Sequence, residues 1–208
     1  FGKWHLGREG YTPLEHGFDI DLPHWHGPGP KTSYLAPWGY DNPDFAEGAP
    51  GEHIEDRMAK EATEWLKKRD TNKPFFLNYW QFSVHAPFGA KPEVIDNYRK
   101  KIKRGSRQQS PTYAAMVHSL DDAVGSLLDA LDNDELDDTI IVFYSDNGGN
   151  IHCGLEETDT KGEKYVTTIT SNYPLRGGKG GIREGGIRVP AVVFWPGVTK
   201  PGSINETR

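Results

Sequence analysis

Thr139-Ile140-Ile141-Val142-Phe143-Tyr144-Ser145-Asp146-Asn147-Gly148-Gly149 is the stretch that decides the fold class of this 208-residue chain. Its first six residues are β-branched or aromatic, too few for a helix and without a polar face. They predict a strand buried on both sides. Strands of that kind sit in α/β sheets, so the expectation is a central, mostly parallel sheet with helices on both faces. The polar, glycine-rich residues 145–149 then fall just beyond the carboxyl end of the strand, where open α/β sheets collect their ligands.

Working outward supports the same class. Upstream, Ser110 and Pro111 form a helix start, and Tyr113, Met116, Leu120, Val124, Leu127 and Leu131 continue an apolar stripe to about residue 131. A second amphipathic helix is expected over 52–69, with Glu52, Glu55 and Asp56 at its start and Lys67, Lys68 and Arg69 at its end, matching the helix dipole. Residues 74–82 (PFFLNYWQF) predict another strand covered on both faces, and 92–103 a shorter helix. Downstream, a long polar loop leads to a last strand over 189–195. Residues 1–51 are rich in Pro, Gly and aromatics and read as loops.

Composition narrows the function. Lys and Arg total 24 against 30 Asp and Glu, a net charge of −6, which gives no reason to expect nucleic acid or an anionic membrane as partner. No apolar run approaches the ~20 residues of a membrane span. A single cysteine, Cys153, excludes an internal disulfide and has no neighbour that would make it a nucleophile.

Five segments carry candidate chemistry. Asp146 and Asn147 offer hard oxygen donors, suited to Ca²⁺ or Mg²⁺ rather than zinc, or else form an ordinary Asp-Asn-Gly turn. His85, in Ser83-Val84-His85-Ala86-Pro87, stands at the end of the 74–82 strand, where an imidazole can exchange protons or simply cap the strand. Lys179 lies in a run with six glycines over 177–190, which permits close backbone approach to an oxyanion but fits no P-loop. Lys3 and His5, in Gly2-Lys3-Trp4-His5-Leu6-Gly7, point to one side if extended and would suit a tetrahedral anion. His24-Trp25-His26 has metal-like spacing without a third ligand and reads better as an aromatic loop lining a pocket. Asp121 and Asp122 on the long helix, and the basic run 100–104, read as solvated faces.

Taken in chain order, these segments resemble the type I, formylglycine-dependent sulfatases of the alkaline phosphatase superfamily. GKWHLG is similar to that family's Lys/His motif, SVHAPF to its H-x-P loop, SDNGG to its metal strand, and LRGGKG with EGGIRVP to its second Lys motif and following strand. The resemblance implies sulfuric ester hydrolysis of an arylsulfatase type, on a sulfated carbohydrate or small molecule, by a formylglycine hydrate that attacks sulfur. It makes Asp146 and Asn147 ligands of Ca²⁺, with Mg²⁺ the lesser choice. It makes Lys3 and Lys179 sulfate-binding, His85 the proton donor to the leaving oxygen, and His5 the partner of the hydrate. A periplasmic, extracellular or lysosomal setting also follows from it.

The C/S-x-P-S/A-R motif that is converted to formylglycine is absent from 1–208. The modification is therefore expected upstream of residue 1. Residues 1–208 are then the central-to-late portion of one catalytic domain, with 1–51 an active-site and substrate segment and 52–208 the α/β core. Two alternatives stay open: a phosphate or phosphonate ester hydrolase of the same superfamily, and a non-catalytic protein that binds sulfated glycans.

Overall fold

The computed structural model describes residues 1–45 and 47–205. Helix α1 (Ile54–Lys68) forms inside the expected span, and His53 caps it by accepting the Glu55 N–H on its ring nitrogen. Helix α2 (Pro92–Arg99) stops short of the basic run, which stays outside the helix. Helix α3 (Pro111–Leu128) starts with Ser110 Oγ accepting the Tyr113 N–H at 3.0 Å. Both α1 and α2 pack on α3. A short helix α4 (Asn133–Asp137) follows, with a capping box between Asp132 and Glu135.

The buried stripe of α3 is Ala115, Met116, Ser119 and Ala123, one step around from the leucines, and Val117 and Leu128 face outward. The leucines lose because α1 approaches closely, and close approach of two helices favours small residues at the contact. The largest buried side chains come instead from the segment that reads as loop. Trp38 is 0 % exposed, Tyr34 1 % and Phe45 2 %, and they pack with Ile54, Met58, Phe82 and Met116.

Strand β1 (Ile141–Tyr144) pairs antiparallel with β4 (Ala191–Phe194), and β2 (Gly154–Thr158) pairs antiparallel with β3 (Lys164–Thr168). The parallel relation among the described residues is one bridge, Gly2 to Trp80. Two sequence expectations are corrected here. Residues 74–82 are extended but join no ladder: beside residues 1–3 the Trp80 N–H donates to Phe1 O and its carbonyl accepts from Lys3 N, and the Phe1 amino group donates to Asn78 O, which makes a single bridge. The faces of β1 and β4 are not covered either: Val142 is 64 % exposed, Tyr144 63 % and Val192 60 %, since no described helix lies over them.

The β2–β3 hairpin is anchored to the start of α3. Buried Glu157 accepts from Ser110 Oγ at 2.5 Å, from Thr112 N at 3.2 Å and from Thr112 Oγ1 at 3.0 Å. A carboxylate at a helix N-terminus is favoured by both the free N–H groups and the dipole.

Candidate active site

Four chain segments converge at one end of the fold. The Gly2–Trp80 bridge sets Lys3 beside the last residues of the 74–82 segment, directly ahead of the His85 loop. A side chain at Gly2 would run into the Trp80 carbonyl, so this pairing requires glycine there. The 83–87 loop is held from below. Tyr34 donates its hydroxyl to the carbonyls of Phe82 (2.6 Å) and His85 (2.8 Å), and Glu55 accepts the Ser83 N–H at 2.6 Å. The peptide bonds Ser83–Val84 and Ala86–Pro87 are cis. His85 Nδ1 lies 2.8 Å from Ala86 O, which leaves Nε2 as the nitrogen free to act outward.

The glycine run packs against other backbone. Gly148 N donates to Gly186 O at 2.9 Å and Lys179 N to Gly149 O at 3.1 Å. Asn172 clips the two loops together, accepting from Gly149 N and donating to the carbonyls of Gly149 and Gly177 at 2.9 and 3.0 Å. A Cβ at Gly148 would strike the Gly185 carbonyl, and one at Gly185 the Gly177 carbonyl. These glycines serve backbone-on-backbone packing of the Lys179 loop and the short helix α5 (Glu184–Ile187) against the Asp146–Asn147 turn. The Lys179 backbone is thereby docked on the turn that follows Asp146.

Electrostatics tie the segments together. The Lys3 ammonium is held below its usual pKa, first by burial and also by Lys179, while Asp146 pulls it back up. His85 is likewise lowered, chiefly by burial, with the charges of Lys179, Lys3 and His5 adding to it against the Ala86 carbonyl. Lys3, His5, His85, Lys179 and Asp146 therefore share one electrostatic neighbourhood. His5 reaches it with a left-handed backbone, φ 52°.

Asp146 and Asn147 present uncommitted oxygens. Neither side chain has a hydrogen-bond partner among the described residues, and Ser145 Oγ is turned to the Asn147 carbonyl at 2.8 Å. Such donors suit a hard cation as part of its shell. No group of three or more His, Cys, Asp or Glu gathers among the described residues, so this pair is at most part of a shell. That holds for His24 and His26 too: His24 is taken up by Asp21 at 2.7 Å.

Sequence reasoning missed Glu55, Tyr34 and Asn172. Glu55 looks like a dipole-matching surface acid, Tyr34 lies in a loop-like segment, and Asn172 stands in no pattern; only tertiary contacts give them a role.

A family model for sulfatases matches residues 1–208. Human N-acetylgalactosamine-6-sulfatase is 31 % identical, covering 99 % of this chain and 38 % of its own length. Mouse arylsulfatase J is 30 % identical, covering 98 % and 33 %, and a sulfatase of Formosa agariphila is 32 % identical, covering 80 % and 29 %. Among solved structures, Ps i-CgsB in complex with k-i-k-neocarrahexaose superposes with a TM-score of 0.69 at 32 % identity, over 94 % of this chain and 44 % of that one. The chain belongs to the sulfatase family, and the fold is the α/β fold of those proteins. It spans less than half the length of each of these relatives.

Proposed function

We propose that the protein hydrolyses sulfuric esters of carbohydrates, and that residues 1–208 are the central-to-late portion of its single catalytic domain. The observation that carries the reading is the shared electrostatic neighbourhood of Lys3, His5, His85, Lys179 and Asp146. The uncovered apolar faces of β1 and β4 support the view that further elements of the domain complete the sheet. The relatives named as sulfatases, and the solved neighbour in complex with k-i-k-neocarrahexaose, support the substrate class.

In this reading Lys3 and Lys179 bind two oxygens of the ester sulfate and offset the charge that grows on them in the transition state. Their mutual repulsion, partly relieved by Asp146, leaves the pair ready to take up an anion. His85 donates a proton to the leaving alcohol oxygen. Its lowered pKa makes the imidazolium a stronger acid, and the incoming sulfate restores its proton by offsetting the two lysines. His5 orients the nucleophile. Asp146 and Asn147 would hold Ca²⁺, with Mg²⁺ the lesser candidate, as part of its shell. When present, a formylglycine hydrate from outside residues 1–208 supplies the attacking oxygen, and the cation supplies charge that polarises it and the sulfate.

The test uses the full-length protein with 4-nitrophenyl sulfate and 4-nitrophenyl phosphate. Sulfate turnover should dominate, fall by ~100-fold or more in Lys3→Ala and Lys179→Ala, and depend on Ca²⁺. Asp146→Ala should lose metal on elemental analysis while keeping its circular dichroism. Preferred hydrolysis of the phosphate would instead select the phosphoester alternative, and saccharide binding without turnover the non-catalytic one.

A further inference from the structure

We propose that the pocket beside His5 receives the alcohol half of the ester, and that Arg8 there selects a sugar bearing a second anionic group. The proposal rests on the sulfatase reading, since it takes His85 as marking the side from which the leaving oxygen departs. The pocket, of about 380 Å³, opens between the 5–8 turn and the 25–28 loop, and its walls include His5, Arg8, Trp25 and His26. That volume is in the range of small-molecule sites, which combine aromatic walls with a few placed polar groups.

The pocket adjoins the candidate active site on two counts. His5 lines it and also contributes to the field at His85. The loop that forms its far wall sits on the His85 loop: a Cβ at Gly29 would meet the Ala86 carbonyl and lie 3.4 Å from His85 Nδ1. The wall itself is built rather than loose. The Trp25 and His26 rings stack at 5.2 Å, the indole N–H donates to Gly29 O at 2.8 Å, and Gly27 lies so close to the indole that any side chain there would displace it.

The charge in this pocket runs against the rest of the molecule. The chain carries a net −6, yet Arg8 is exposed and pairs with no carboxylate among the described residues. Nearby Lys31 is already engaged by Asp41 at 2.6 Å, and His24 by Asp21. The scissile sulfate is provided for by Lys3 and Lys179, so a further guanidinium one pocket away has no role toward it. A planar guanidinium matches a sulfate or a carboxylate through paired hydrogen bonds. An aromatic wall with one unpaired guanidinium is the complement of a sugar ring carrying one more anion.

The experiment compares Arg8→Gln and Trp25→Ala with wild type, all full-length, on four substrates: 4-nitrophenyl sulfate, a singly sulfated disaccharide, the same disaccharide with a second sulfate, and one with a uronate carboxylate in its place. For Arg8→Gln, kcat/KM on a doubly anionic disaccharide should fall at least ~10-fold further than on the singly sulfated one, with the change carried by KM. The sulfate and uronate arms identify which anion Arg8 takes. Trp25→Ala should lower both disaccharides relative to 4-nitrophenyl sulfate. Equal losses on all four substrates, or none, would overturn the assignment. If the wild-type protein hydrolyses no sulfate ester, the sulfatase reading fails by itself, and calorimetry with the doubly sulfated disaccharide decides the pocket: binding weakened in Arg8→Gln keeps it, and binding that is absent or unaffected removes it.

Discussion

Glu55 shows how much one side chain can differ from its sequence reading. It stands in the first turn of α1 as a dipole-matching acid should, yet it is wholly buried and accepts the Ser83 N–H that fixes the His85 loop. Burial pushes its carboxyl up to about 7, and its second oxygen has no hydrogen-bond partner among the described residues. A carboxyl raised in the folded state contributes stability that is complete below the ordinary value of 4.5 and is lost as pH rises through about 7. His53 works in the opposite sense, since burial lowers it to about 4 and its contribution is lost as pH falls from 6.5. The expected outcome for Glu55→Gln is a stability that climbs relative to wild type between pH 4.5 and 7, measured by urea unfolding across that range. Glu55→Ala leaves the Ser83 N–H unpaired and should cost about 1–3 kcal/mol. It should also depress kcat on an unactivated sulfate ester more than on 4-nitrophenyl sulfate, whose leaving group needs little help from His85.

At the scale of elements, the junction of the Asp146–Asn147 turn with α5 depends on glycines that have no room to be anything else. Gly148→Ala must force the Gly185 carbonyl away, and Gly185→Ala the carbonyls of Arg176 and Gly177. Each should destabilise by about 1–3 kcal/mol, the usual cost of overpacking, and weaken metal retention. Gly180→Ala is the contrast. It has φ +81° but nothing within 4 Å, so it pays only the left-handed backbone penalty of about 1–2 kcal/mol and should retain metal. Thermal melts and metal analysis on the three variants rank them. If all three behave alike, the glycines serve flexibility rather than packing.

For the whole molecule, the exposed sheet dominates. Val142, Tyr144, Val192, Val193 and Phe194 are all at least 44 % exposed, on strands whose sequences are those of a covered sheet. Apolar side chains exposed on both faces of a strand pair drive association. Residues 1–208 expressed alone should bind a hydrophobic dye, self-associate in light scattering, and give no turnover of 4-nitrophenyl sulfate, while the full-length protein should do none of the first two. A monodisperse, dye-silent 1–208 would mean that the sheet face is covered by something within this chain.

Sequence by itself determined the order of the chemistry-bearing segments, the approximate span of α1 and the capped start of α3, and the strand that leads into Asp146. Helix periodicity, capping residues and turn glycines are local signals, and they survive into the fold because nothing nonlocal opposes them. Family membership was legible for the same reason, since the motifs lie in contiguous runs. Tertiary structure alone decided which residues sit under the site. Trp38, Tyr34 and Phe45 form the core from a segment with no periodicity, because burial there follows from contacts across 40 residues or more, as Tyr34 to Phe82 illustrates. The pairing of 1–3 with Trp80, the role of Glu55 beneath Ser83, and the Trp25–His26 wall beside Arg8 are likewise meetings of distant chain, and no local pattern encodes a distance.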